Sequence, residues 1–74
     1  MNELERRRRH DLVKKAEADG VVADSMDVRM ALIRRMHAGE LTLDQVQAEL
    51  KHIQRGARKA GKITRNQAWL GRQP

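Results

Sequence analysis

Cysteine is absent from this chain, as are phenylalanine and tyrosine. Without thiols there is no disulfide to restrict the unfolded chain and no thiolate site for a metal ion. Trp69 is the one aromatic residue, so the large flat side chains that fill most cores are missing. The larger apolar residues are seven Leu, five Val, three Ile, four Met and that tryptophan. Burying each is worth roughly 1.5–3 kcal/mol, against roughly 1.5 kcal/mol lost per ordered residue, so a core this thin only just breaks even. A homodimer or a larger partner would supply the missing buried area. No stretch approaches the ~20 apolar residues of a membrane span, and the N-terminus has no apolar signal segment. The expectation is a soluble cytoplasmic protein with no membrane partner.

Acid is the last absence, and it is local. Residues 51–74 hold seven cations (Lys51, Arg55, Arg58, Lys59, Lys62, Arg65 and Arg72) and no Asp or Glu. The 50 residues before them hold nine cations and ten acids, so the net charge of +6 arises in the last third. A block of this kind attracts polyanions, and phosphate backbones are the commonest of these.

What is present is a repeated helix junction. Gly39-Glu40-Leu41-Thr42-Leu43-Asp44-Gln45-Val46 is echoed by Gly61-Lys62-Ile63-Thr64-Arg65-Asn66-Gln67-Ala68. In each copy the Gly suits the left-handed conformation that ends a helix, and the Thr is placed to cap the next one. The Gln three residues after the Thr completes a capping box. Leu41 with Val46, and more weakly Ile63 with Ala68, can staple the chain across the junctions.

These signals predict an all-α protein, a small helical hairpin or bundle of three to four helices. One helix runs from about Met26 to Ala38, capped by Asp24 or Ser25. Its apolar residues Met26, Val28, Met30, Leu32, Ile33 and Met36 cover more than half of the circumference, which predicts cover on two sides. The next runs from about Leu43 to Ala60, with a narrower stripe of Leu43, Val46, Leu50, Ile53 and Ala57. Gly56 falls inside it, marking either a close helix crossing or a weak point. Residues 21–70 form the hairpin core with a short last helix over 64–70, and 71–74 a loose tail. Residues 1–20 form a charged helix expected to fray. Pairs four apart, Glu3 with Arg7 and Glu5 with Arg9, support it, but Leu4, Leu12, Val13 and Ala16 give it little to dock.

No catalytic constellation is assembled. His10, His37 and His52 lie far apart with no metal-ligand spacing, Ser25 is the only serine, and no glycine-rich phosphate loop occurs. No enzyme activity, cofactor or metal is expected. A DNA-reading helix-turn-helix asks for a small residue four before its turn Gly and an apolar residue six after. Around Gly39 those places hold Arg35 and Gln45, and around Gly61 Ala57 and Gln67, so the pattern fails. Residues 29–50, with their Gly-Glu-Leu-Thr junction, look like the helical hairpins of small bacterial antitoxins and oligomerisation modules. The Glu that such antitoxins carry four residues after a Ser or Thr is missing after Ser25, Thr42 and Thr64.

The candidate site is therefore a surface. On a helical wheel Lys51, Arg55, Arg58 and Lys59 share one side, and Lys62 and Arg65 extend it through the next junction. The expected function is that of a small non-enzymatic regulator binding nucleic acid or a nucleoprotein complex through this face. The alternative is an adaptor or inhibitor that docks its hairpin on an acidic protein surface, with Val28, Leu32, Met36 and Trp69 at the interface. The format suits a phage or mobile-element protein. The Arg6–Arg9 run points all round its helix and defines no single face.

Overall fold

Left-handed glycines set the element boundaries. At Gly39 and Gly61 φ is 80° and 71°, values that a side chain would strain. Around Gly39 the Glu40 N–H donates to Arg35 O at 2.9 Å and the Gly39 N–H to Met36 O at 3.0 Å, the paired bonds of a Schellman ending. Both capping boxes form: Thr42 Oγ1 accepts from Gln45 N–H and Thr64 Oγ1 from Gln67 N–H, while each Gln side chain accepts from the Thr backbone. The computed structural model describes all 74 residues and contains four helices. They are α1 (Glu3–Ala18), α2 (Met26–His37), α3 (Leu43–Gly56) and α4 (Arg65–Trp69). The protein is all-α, and none of its helices is long and apolar enough to cross a membrane.

The helix predicted to reach Ala60 closes at Gly56 instead. Residues 57–60 continue as an irregular turn, begun by a long 3.3 Å bond from Ala57 N–H to Gln54 O. A Cβ at Gly56 would meet nothing within 4 Å, so no helix crosses there. Gly56 is a weak point of α3, where the freedom of its unfolded state opposes helix formation.

The first helix, expected to have little to dock, is docked through its second half. Val13 is buried together with Val22, Ile63 and Ala68, and Ala16 and Trp69 pack on that cluster. Helix α1 lies against α4 and runs antiparallel to it, since Arg9 meets Trp69 while Glu17 meets Arg65. Arg9 Nη1 donates to Trp69 O at 2.8 Å, satisfying a carbonyl at the end of α4. That contact takes Arg9 away from the expected pairing with Glu5. His10 meets the Trp69 ring edge-on, with centroids 5.3 Å apart. The Ile63–Ala68 staple, the weaker of the two expected, sits in the middle of this cluster.

The molecule is thus two helix pairs, α1 with α4 and α2 with α3, joined where two linkers run side by side. Val22 and Ile63 form a parallel bridge, with Ile63 N–H donating to Val21 O at 2.9 Å and Ala23 N–H to Ile63 O at 2.8 Å. The tail also starts less freely than expected. Gly71 is left-handed, and the Arg72 N–H donates to Gln67 O at 2.9 Å.

Only eight residues are buried, and one of them is a carboxylate. Ser25, not Asp24, caps α2. Asp24 is 1% exposed and accepts from three directions. Arg29 Nη2 donates to Oδ2 at 2.8 Å, Gln54 Nε2 to Oδ2 at 2.9 Å, and the Arg65 N–H to Oδ1 at 2.8 Å. Beside it Glu17 Oε1 accepts from the Met26 N–H at 2.9 Å and lies 2.9 Å from Arg65 Nε. Two carboxylates therefore hold the N-termini of α2 and α4, whose unpaired N–H groups favour negative charge.

Burial by itself would raise the Asp24 carboxyl's affinity for a proton. The bonds from Gln54, the Arg65 N–H and Arg29, with the Arg29 charge, outweigh it and hold the group below its ordinary value of 3.8. A carboxylate that is more acidic in the folded state stabilises the fold above its unfolded pKa, and that stabilisation is lost as pH falls through the folded value. Chemical denaturation should therefore show stability level at neutral pH and falling below about pH 4. Asp24→Ala leaves Arg29 and Gln54 facing a buried gap and should cost about 3–5 kcal/mol, most of the stability of a domain this small. Gly56→Ala should act the other way, adding about 0.5–1 kcal/mol in thermal unfolding.

Candidate nucleic-acid interface

Helix α3 divides its residues by face. Val46 and Ala57 are buried, and Leu50, Ile53 and Gln54 are half-buried, so this side holds the helix to the rest of the molecule. Lys51 and Arg55 lie across the helix from that side and are exposed. Arg58, Lys59 and Lys62 are exposed too but follow the end of α3, so the single helical face expected for Lys51, Arg55, Arg58 and Lys59 is cut at Gly56. The chain's three ion pairs are Arg29–Asp24, Arg35–Glu40 and Arg65–Glu17, so none of these five cations is neutralised by a neighbour. Three of them, Arg55, Arg58 and Lys59, lie about the C-terminal end of α3, where the helix dipole is negative and welcomes cations. The acids of α3, Asp44 and Glu49, stand in its first half.

Arg65 leaves this set. Its guanidinium Nε lies against Glu17 and its backbone N–H is bonded to Asp24, so it belongs to the junction of the helices. The Nε contact is an ion pair by distance without the alignment of a hydrogen bond. Sequence spacing placed Arg65 with the other cations because Glu17 is 48 positions away and invisible to local pattern. Asp24, Gln54 and Glu17 escaped notice for the same reason. Among them only Asp24 carried a signal, as a carboxylate next to a serine that already suffices as a cap.

The expected partner interface is also rearranged. Leu32 is buried within the hairpin and presents nothing to another chain. Val28 and Met36 are half-buried beside it. Trp69 packs on the cluster between α1 and α4 and against His10, which uses much of its surface internally. The apolar residues of α2 that do remain open are Met26 and Met30, on a neighbouring stripe, each a little over 40% exposed. Of the arginine run, Arg6, Arg7 and Arg8 are exposed and Arg9 is engaged with α4.

No protein-family model, curated protein or solved structure matches this chain. The arrangement itself separates the two roles of its cations: Arg29 and Arg65 hold the fold together, and Lys51 to Lys62 face outward. Arg65→Gln should therefore lower stability by about 1 kcal/mol, a half-buried pair lost, while leaving polyanion affinity within about twofold in a filter-binding titration.

Proposed function

We propose that this is a small non-enzymatic regulatory protein acting in the cytoplasm, binding nucleic acid, alone or in a nucleoprotein complex, through Lys51, Arg55, Arg58, Lys59 and Lys62. The observation that carries the reading is that all five are exposed, come from a segment without Asp or Glu, and have no ion-pair partner. An ordinary solvated helix face interleaves both signs of charge, and this one does not. Phosphate contacts by Lys and Arg release condensed counterions, and that release supplies affinity that ignores sequence. The face offers few side chains suited to base edges, so sequence preference is slight.

With about four phosphates engaged on duplex DNA, log affinity should fall against log salt with a slope near −3.6. Replacing Lys51, Arg55, Arg58 and Lys59 by Gln should remove most of the binding while circular dichroism still reports full helicity. Should the quadruple variant bind as well as the parent, the basic face is not the site. Should the parent bind neither DNA nor RNA at low salt, an acidic protein partner takes its place.

A further inference from the structure

A cleft of about 290 Å³ opens between the second half of α1 and residues 71–74. Its apolar floor is offered by Leu12, Ala16 and Val21, together with Ile63 and Ala68, which are almost fully buried. Its rim carries Lys15 and Arg72, with Asp19 beside them. None of these three charged side chains is in an ion pair, although Lys15 and Asp19 stand four residues apart. Ile63 directly follows Lys62, so the cleft's lining and the basic segment adjoin along the chain. The bond from Arg72 N–H to Gln67 O fixes the direction in which the tail leaves α4 and keeps the Arg72 backbone at the rim.

The chemistry of this cleft asks for a ligand of three parts. The apolar floor takes a flat body with little polar face, the two free cations take an anion, and the free carboxylate takes an N–H donor. The volume is at the lower end of the roughly 300–1,000 Å³ of small-molecule pockets, enough for one ring system and its substituent. A nucleotide has all three parts, but only an unpaired one can offer its base, because duplex bases are stacked away. We propose that the cleft receives one unpaired nucleotide of a strand held by the basic face. Its base lies on the Leu12–Ala16–Val21 floor, its phosphate between Lys15 and Arg72, and an exocyclic amine donates to Asp19. The inference rests on the nucleic-acid reading and narrows it to single strands, with adenine, cytosine or guanine preferred over thymine or uracil at that position.

The test compares a labelled single-stranded oligonucleotide with a duplex of equal length, by anisotropy on the full chain. The parent should favour the single strand about tenfold, because setting part of one base on apolar side chains removes apolar surface from water. The surface variant Lys15→Gln/Arg72→Gln should lose that preference while duplex affinity changes little, and Ala16→Glu should do the same by occupying the floor. Equal affinity for the two forms in the parent, or a preference that survives in the Lys15/Arg72 variant, overturns the proposal. In parallel, cytidine 5′-monophosphate is titrated into ¹⁵N-labelled protein. Shifts concentrated at Ala16, Val21 and Ala68 support the cleft. Duplex binding without such shifts removes the cleft and leaves the basic face standing. Such shifts without any duplex binding support the cleft and remove the basic face.

Discussion

The buried carboxylate of Asp24 is the point on which the arrangement of the helices depends. A charge taken out of water is tolerated only when its oxygens are fully bonded, and here the donors come from residues 29, 54 and 65. The three lie at the start of α2, the end of α3 and the start of α4. Satisfying one side chain therefore brings three helix ends to one place, and Glu17 adds the end of α1 through Met26 and Arg65. Hydrophobic burial is non-directional and would tolerate several packings of so few apolar side chains. The carboxylate network admits far fewer, because each bond has a required distance and direction.

This polar junction has a large share of the work because the apolar core is small. Seven apolar residues are buried, and two of them are alanines. Four of the seven lie in the cluster between α1, α4 and the two linkers, leaving Leu32, Val46 and Ala57 elsewhere. Neither helix pair has a core that would be expected to stand alone. The linkers, paired through Val22 and Ile63, tie one set to the other, and the Asp24 network lies next to that tie.

The junction also orients the surface proposed to act. Gln54 lies on α3 at the edge of its buried face, and its bond to Asp24 resists rotation of the helix about its axis. With that rotation held, Lys51 and Arg55 stay on the exposed side of α3. The same junction removes Arg65 from the basic surface by giving it a carboxylate of its own. Cations near one another in sequence thus divide into those left exposed and those that meet Glu17 or Asp24. At the cleft between α1 and residues 71–74, Lys15 and Arg72 also stay unpaired beside apolar residues, so charge without an internal partner recurs at both proposed contacts.

What the amino-acid sequence determined by itself was the local structure. Gly39, Gly61, Thr42 and Thr64 act within a few residues of their own positions, through backbone conformation and caps, and so the helix ends and the all-α class were legible. So was the acid-free character of residues 51–74, since composition requires no coordinates. The end of α3 was misplaced because the weak helical preference of Gly56 competes with a Schellman ending five residues on, and no local rule ranks them. The docking of α1 depended on Val13 meeting residues 50 and 55 positions away. The fate of Arg65 depended on Glu17, and the role of Asp24 on Gln54 and Arg65. Those are tertiary facts: a hydrogen bond or ion pair between distant positions leaves no periodicity in the chain, and only the folded arrangement decides which charges are satisfied inside and which are left for solvent or a partner.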